Sequence, residues 1–320
     1  MIKRIAIVII GIIIVVLGKG FFYYKGFYSP PPSEMPSYEQ IVVAAAPSTE
    51  FSDIYEEGEG IILIDLAHDN AFDIEELNVL TSRLISRGLT IKLFSAEDDL
   101  EKELIGEEDE LEEELAAEEE ELEEEPAAEE EEPEEELEGA DAFIIVCPQL
   151  EFSMEERETI NEFVNNGGKL LLIADPTRSS QINSISLKFG LIFEADYLYN
   201  MKENEVNYRN IFVTEFRENE ITKKLQKIAL YTAGSISSTD GGIAFVDQNT
   251  FSSLIETRKE LSPTALAQES KVLAVHDLTF MTEPYNGILD NNQLISNIAD
   301  WLASPAEEVE VEEEETQEND

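Results

Sequence analysis

The apolar positions of this chain change period several times, and each change marks an element. Ile61–Ile64 is an unbroken apolar run that opens after Gly60 and closes on a polar group, Asp65, His68, Asp69 and Asn70. A short continuous apolar run of this kind reads as a strand of a parallel sheet, buried on both faces by helices. Over Asp73–Ser86 the period lengthens, and Ile74, Leu77, Leu80, Leu84 and Ile85 fall on one helical face before Gly88 stops it. Leu89–Phe94 is the second predicted strand and Ala142–Val146 the third. Ser153 and Glu156 then form a capping box ahead of Ile160 and Phe163, and Gly167-Gly168 ends that helix. Lys169–Ala174 is a fourth strand ending in Asp175-Pro176-Thr177-Arg178.

Beyond it the pattern predicts a short helix over Ile182–Phe189 and a short strand over Leu191–Phe193. Ile211–Phe216, Lys227–Ala233, Gly242–Asp247 and Ser252–Thr257 read as strands of an antiparallel extension. Lys271–Asp277 is a last strand. Asn292–Leu302 is a closing helix with Ile295, Ile298, Trp301 and Leu302 inward and Asp290 as its cap. The fold class is therefore α/β, a flavodoxin-like, mostly parallel sheet with helices on both faces.

The two ends read differently. Met1-Ile2-Lys3-Arg4 precedes the uncharged stretch Ile5–Leu17, and with Gly18–Tyr24 it reaches about 20 residues, roughly 30 Å of helix. Lys19 can snorkel, and Phe21–Tyr24 with Phe27 and Tyr28 resembles an interfacial belt. Residues 1–28 are thus expected to form an uncleaved transmembrane signal anchor. A Pro-rich stalk over 29–58 follows, little order is expected before Glu57, and the α/β domain occupies 59–303. That places the protein at the cell membrane, single-pass, with its domain extracytoplasmic.

Charge refines this division. The net charge is −50, but residues 97–138 hold 27 of the 71 acidic side chains and the tail from Glu307 to Asp320 holds nine more. Residues 106–138 are read as a Glu-rich disordered insertion, since like charges at i,i+4 repel and Pro126 and Pro133 forbid one long helix. Only Asp98–Ile105 is expected to be packed helix. The tail 304–320 is read as disordered too. So acidic a surface repels nucleic acid, which excludes DNA or RNA as a partner.

Ligands of open α/β sheets sit outside the carboxyl ends of the strands. The candidate binding cluster is accordingly Asp65, His68, Asp69, Asn70, Asp175, His276 and Asp277. No Walker loop, GxGxxG, HExxH or CxxC pattern is present, so no cofactor, metal or catalytic assignment is made. Cys147, the single cysteine, invites a Cys-His-Asp hydrolase reading with the two histidines. A cysteine nucleophile needs a tight turn among small residues, however, and Cys147 is followed by Pro148. A buried structural thiol is expected.

With the strands placed, Asp65–Phe72, Ala140–Pro148, Phe152–Pro176, Val272–Phe280 and Asp290–Leu302 together resemble the class I glutamine amidotransferase-like superfamily. The resemblance is to the branch of uncharacterised membrane-anchored domains, gliding-motility ABC-transporter auxiliary proteins and intraflagellar-transport amino-terminal domains. It implies a flavodoxin-like sheet and mostly non-enzymatic roles. In the amidotransferases the nucleophile elbow follows the strand that here is Lys169–Ala174, where Asp175-Pro176 stands instead, so the resemblance does not carry the catalytic cysteine over. The expected function is a non-catalytic domain binding a protein partner or small ligand as an accessory of a membrane or transport complex, its oligomeric state open. Two alternatives stand beside it: a hydrolase using Cys147 and His68 or a carboxylate pair, and an acidic insertion acting as an electrostatic recruiter.

Overall fold

The computed structural model describes residues 2–23, 51–55, 57–96, 98, 100, 104, 139–238, 241–254 and 260–304. The chain divides into two compact units, 1–46 and 47–320. In the first, Ile2–Tyr23 is a 22-residue helix, α1, with side chains described from Ile9 to Phe22. Among the described residues no helix is long and apolar enough to cross a membrane, so the expected transmembrane helix is not found among them. The proline run of the stalk, the acidic insertion 106–138 and the tail after Ser304 lie outside the described residues.

The second unit is mixed α/β around a nine-stranded sheet. The apolar runs form β1 (Ile61–Asp65), β2 (Thr90–Phe94), β3 (Ala142–Val146) and β4 (Lys169–Ile173). There follow β5 (Ile192–Phe193), β6 (Leu198–Asn200), β7 (Asn210–Phe216), β8 (Ile228–Tyr231) and β9 (Ile236–Ser237). The last are β10 (Gly242–Val246), β11 (Thr250–Ser252), β12 (Thr264–Ala267) and β13 (Val272–Val275). The sheet order is β2-β1-β3-β4-β13-β12-β10-β7-β8. The first five strands run parallel, and β12, β10, β7 and β8 extend them antiparallel. Every residue of β3 and β4 is buried, as a strand between two helical layers requires.

The period-2 alternation divides the core in two. Ile62 and Ile64 of β1 face α2 (Asn78–Ser86) and the closing helix, which counts as α5 (Asn291–Ala303), through Leu80, Leu84, Ile295, Ile298 and Trp301. Leu63 faces the other layer, with Ile160, Phe163 and Val164 of α3 (Met154–Asn165) and with Leu100 and Leu104. The short helix α4 (Asn183–Ser186) adds Ile185 there.

Four readings need correction. Ile74–Leu77 is a 3-10 turn ahead of α2 that leaves Ile74 39% exposed, and Ile85, on the far side of α2 from Leu80, is 61% exposed rather than inward. Asp290 makes no side-chain cap on α5; its carboxylate accepts the Gln226 and Lys227 amides at 2.8 and 2.9 Å. The strand expected over Ser252–Thr257 is β11, three residues long and starting at Thr250, paired with β6 apart from the main sheet. Order also begins before Glu57, because Asp53 bonds Ser296 Oγ at 2.6 Å and the fully buried Arg87 at 3.0 Å. Arg87 in turn reaches Asp300 at 2.6 Å, which ties residues 51–55 to α2 and α5.

Candidate functional site

Polar residues gather where the parallel strands end, because each strand stops at a residue that bonds the following loop. Asp65, the last residue of β1, is fully buried; one carboxylate oxygen takes the Ala67 amide at 3.1 Å and His68 Nδ1 at 2.8 Å. The other takes Asn70 Nδ2 at 2.9 Å, and the same amide group reaches the Val146 carbonyl of β3 at 2.9 Å. Asn70 Oδ1 accepts the His68 amide at 3.1 Å. Asn70 therefore holds the loop.

His68 is only 4% exposed and lies stacked on Phe152, ring centroids 3.7 Å apart. Its Nε2 faces Glu156 Oε1 of α3 at 3.3 Å. Burial opposes charge on the ring, yet the Asp65 hydrogen bond and the Asp65 and Glu156 carboxylates raise its pKa above the ordinary 6.5. For Glu156 burial works against ionisation, but its bonds with Ser153 and the imidazole hold its pKa below the usual range. The His68 carbonyl accepts the Gln149 and Leu150 amides at 2.9 and 3.0 Å, so ring and backbone together lock the β1 loop onto the β3 loop.

A second staple crosses the same end. Arg178, after β4, makes a bidentate pair with Glu76 at 2.7 and 2.5 Å and donates to the Ala71 carbonyl at 2.8 Å. The Arg178 hydrogen bond holds Glu76 below its ordinary pKa. Between the two staples Cys147 is fully buried, and burial, with the Asp175 charge adding, pushes its thiol up to about 12. A thiol so poised is protonated and unreactive. It is a structural cysteine, as the residues following it lead one to expect.

Asp175 and Asp277 form the neighbouring group. Asp175 Oδ1 accepts the Thr177 amide and hydroxyl at 2.8 and 2.6 Å, and Oδ2 accepts Thr279 Oγ1 at 3.2 Å. Asp277 takes the Tyr231 amide at 2.6 Å and the Thr279 amide at 2.8 Å. Burial, reinforced by Asp175, raises the Asp277 pKa well above the ordinary carboxylate value. Thr279 thus bridges two buried carboxyls, of which Asp277 is pushed by burial towards its protonated form. The Tyr231 hydroxyl is buried with no hydrogen-bond partner among the described residues, and burial raises its pKa.

The seven candidates are not one cluster. Asp65, His68 and Asn70 form a bonded unit, Asp175 and Asp277 form another, and His276 belongs to neither. Its buried ring donates to the Ser235 carbonyl at 3.1 Å and meets Phe193 edge-on at 5.1 Å, and burial lowers its pKa. Asp69 is exposed, in the left-handed conformation at φ 49°, and supplies the turn. Sequence reasoning missed Glu156, Phe152, Arg178 and Glu76 as members of the site. The capping box placed Glu156 on the first turn of the helix after β3, at the same end as His68, and that was the available signal.

No family model matches the chain, and no curated protein matches it. Among solved structures it is similar to the mmIFT52 N-terminal domain, with TM-score 0.56 and 14% identity over 76% of this chain and 97% of that one. It also overlaps a cytoplasmic protein from Salmonella typhimurium (TM-score 0.41, 13% identity, 77% and 99% of the two chains). A protein from Parabacteroides merdae described as ThuA-like gives TM-score 0.40 and 10% identity over 78% and 91%. Scores of that size carry no argument. What the mmIFT52 likeness shows is the fold alone: a mixed α/β domain around a large, mostly parallel central sheet.

Proposed function

We propose that this is a non-catalytic amidotransferase-like domain, held at a membrane by its amino-terminal segment, that binds a protein partner on the rim of its strand ends as an accessory of a membrane complex. One observation carries the reading: the polar side chains at the strand ends are bonded to one another. Asp65, His68 and Glu156 bond in series, and Arg178 is spent on Glu76. Asp175, at the end of the fourth strand, accepts four hydrogen bonds from the chain. A rim whose described polar groups are bonded to one another is rigid, which suits a docking surface. The anchor rests on the uncharged run Ile5–Leu17 between Lys3-Arg4 and Lys19, and the extracytoplasmic side on the usual orientation of such anchors.

Photo-crosslinking in intact membranes from the rim positions Asp69 and Leu150, read by mass spectrometry, tests this. A single protein neighbour captured from both positions is expected. Turnover of any ester, amide or glycoside by the purified full chain, abolished by Cys147→Ala or His68→Ala, would overturn it in favour of the hydrolase reading.

A further inference from the structure

One basic feature stands out in a chain of net charge −50. Residues 222–227 carry three of the 21 basic side chains, Lys223, Lys224 and Lys227. Lys224 and Lys227 line a cleft of about 330 Å³ with Phe51, Gln226, Leu289, Asp290 and Gln293. That volume lies in the range of ligand sites. The cleft sits at the amino-terminal end of α5, where the helix dipole adds positive potential. Asp290, the one carboxylate in its lining, already accepts two backbone amides. Lys227 pairs with the exposed Glu203 at 2.8 Å, a pairing in solvent that exchanges at little cost. Lys223 flanks the same helix, reaching Asp300 at 3.2 Å.

We propose that this cleft is the docking site of the chain's own carboxyl-terminal tail, through the carboxylates of Glu312–Glu315. The tail departs from a fixed point, since Lys169 Nζ holds the Trp301 and Ser304 carbonyls at 2.6 Å each. To return to the cleft it must run back along the 13 residues of α5, about 20 Å. At about 3.3 Å per residue this takes roughly six residues. The run Glu312–Glu315 therefore reaches the cleft, and Glu308 and Glu310 pass Lys223 on the way. The acidic run and the lysines are complementary in sign, and the tail is long enough to span the helix.

Zero-length carbodiimide crosslinking of the full chain at low salt, followed by peptide mapping, tests this directly. Amide links from Lys224 or Lys227 to Glu312–Glu315 are expected, and they should vanish at about 1 M NaCl, where the screening length falls to roughly 3 Å. The Lys227–Glu203 pair is the internal control that the chemistry works. In a chain with Glu312–Glu315 all changed to Gln, acylation of Lys224 should rise about threefold, the size expected when weak ion pairs are removed, while Lys188 stays unchanged. Absence of tail links when Lys227–Glu203 is crosslinked would overturn the proposal. So would links to glutamates of 107–136, or links between isotopically distinct chains, which would name the insertion or a second copy instead.

Discussion

The ends of β1 and β13 carry the same two residue types, an aspartate and a histidine, yet the two histidines are pushed in opposite directions. At β1 the spacing is three: Asp65 and His68 fold back on one another through a turn, and the two carboxylates beside the ring raise its pKa. At β13 the two are adjacent, and successive residues of an extended chain point to opposite faces. His276 goes to one core beside Phe193, and Asp277 to the other beside Tyr231. Unable to pair, each is pushed by burial towards its neutral form. Gly234 permits the His276 side, since a Cβ there would lie 2.3 Å from the ring. The same residue types thus make a hydrogen-bonded clamp at one strand end and a buried filling at the other, and only the clamp joins two loops.

The largest expected effect comes from breaking the clamp at its buried member. Asp65→Ala leaves His68 with one carboxylate and the Ala67 and Asn70 donors without an acceptor, and should cost about 3 kcal/mol in urea unfolding, as for other broken buried pairs. His68→Gln, which can still donate to Asp65, should cost less than half of that. No measurable loss in the His68 variant would mean that the aspartate acts by holding the loop alone, and the contrast with β13 would fail.

The next effect is in pH dependence, where the two histidines should move oppositely. His68 has its folded pKa raised, so its contribution is fully present below the unfolded value of about 6.5 and is lost as pH rises through the higher folded value. His276 has its folded pKa lowered, so its contribution is present above about 6.5 and is lost as pH falls through the lower folded value. Imidazole proton resonances followed by NMR should show one midpoint on each side of 6.5. His68→Gln should remove the loss of stability on the alkaline side and leave the acid limb in place. Coincident midpoints would dissolve the comparison.

The sheet was legible because a run such as Phe143–Val146 or Leu170–Ile173 admits little else between two helical layers. β12 escaped notice: Thr264–Ala267 is short, rich in alanine and preceded by Pro263, so its strand character comes from pairing with β13 and not from its own residues. The site was half legible. Strand ends told where Asp65, His68 and Asp175 would lie, but not which partners they would choose. Glu156 was visible only as a cap, and Arg178 only as the end of a turn, because both act across loops distant in sequence. Asp290 shows the converse error, where a local rule favoured a cap and two amides from residues 226 and 227 took the carboxylate instead.

The smallest effect expected is also a sharp discriminator. Cys147 lies between the two strand ends compared, in a left-handed conformation at φ 43° that resembles a nucleophile turn in backbone angle alone. Its amide donates to the Ile173 carbonyl at 2.9 Å and its carbonyl accepts the Ala71 amide at 2.9 Å, so the turn is tied into β4 and the β1 loop rather than opened to a substrate. With the thiol pushed up to about 12, only about one molecule in ten thousand carries a thiolate at pH 8. Iodoacetamide should therefore leave native Cys147 unmodified for hours and react promptly in urea, and His68→Gln should not change that. Labelling that rises in the His68 variant would mean the clamp guards the thiol, which would tie the β1 end to Cys147 chemistry and revive the hydrolase reading. Labelling unchanged by the variant keeps clamp and thiol independent, which is what their separate bonding partners require.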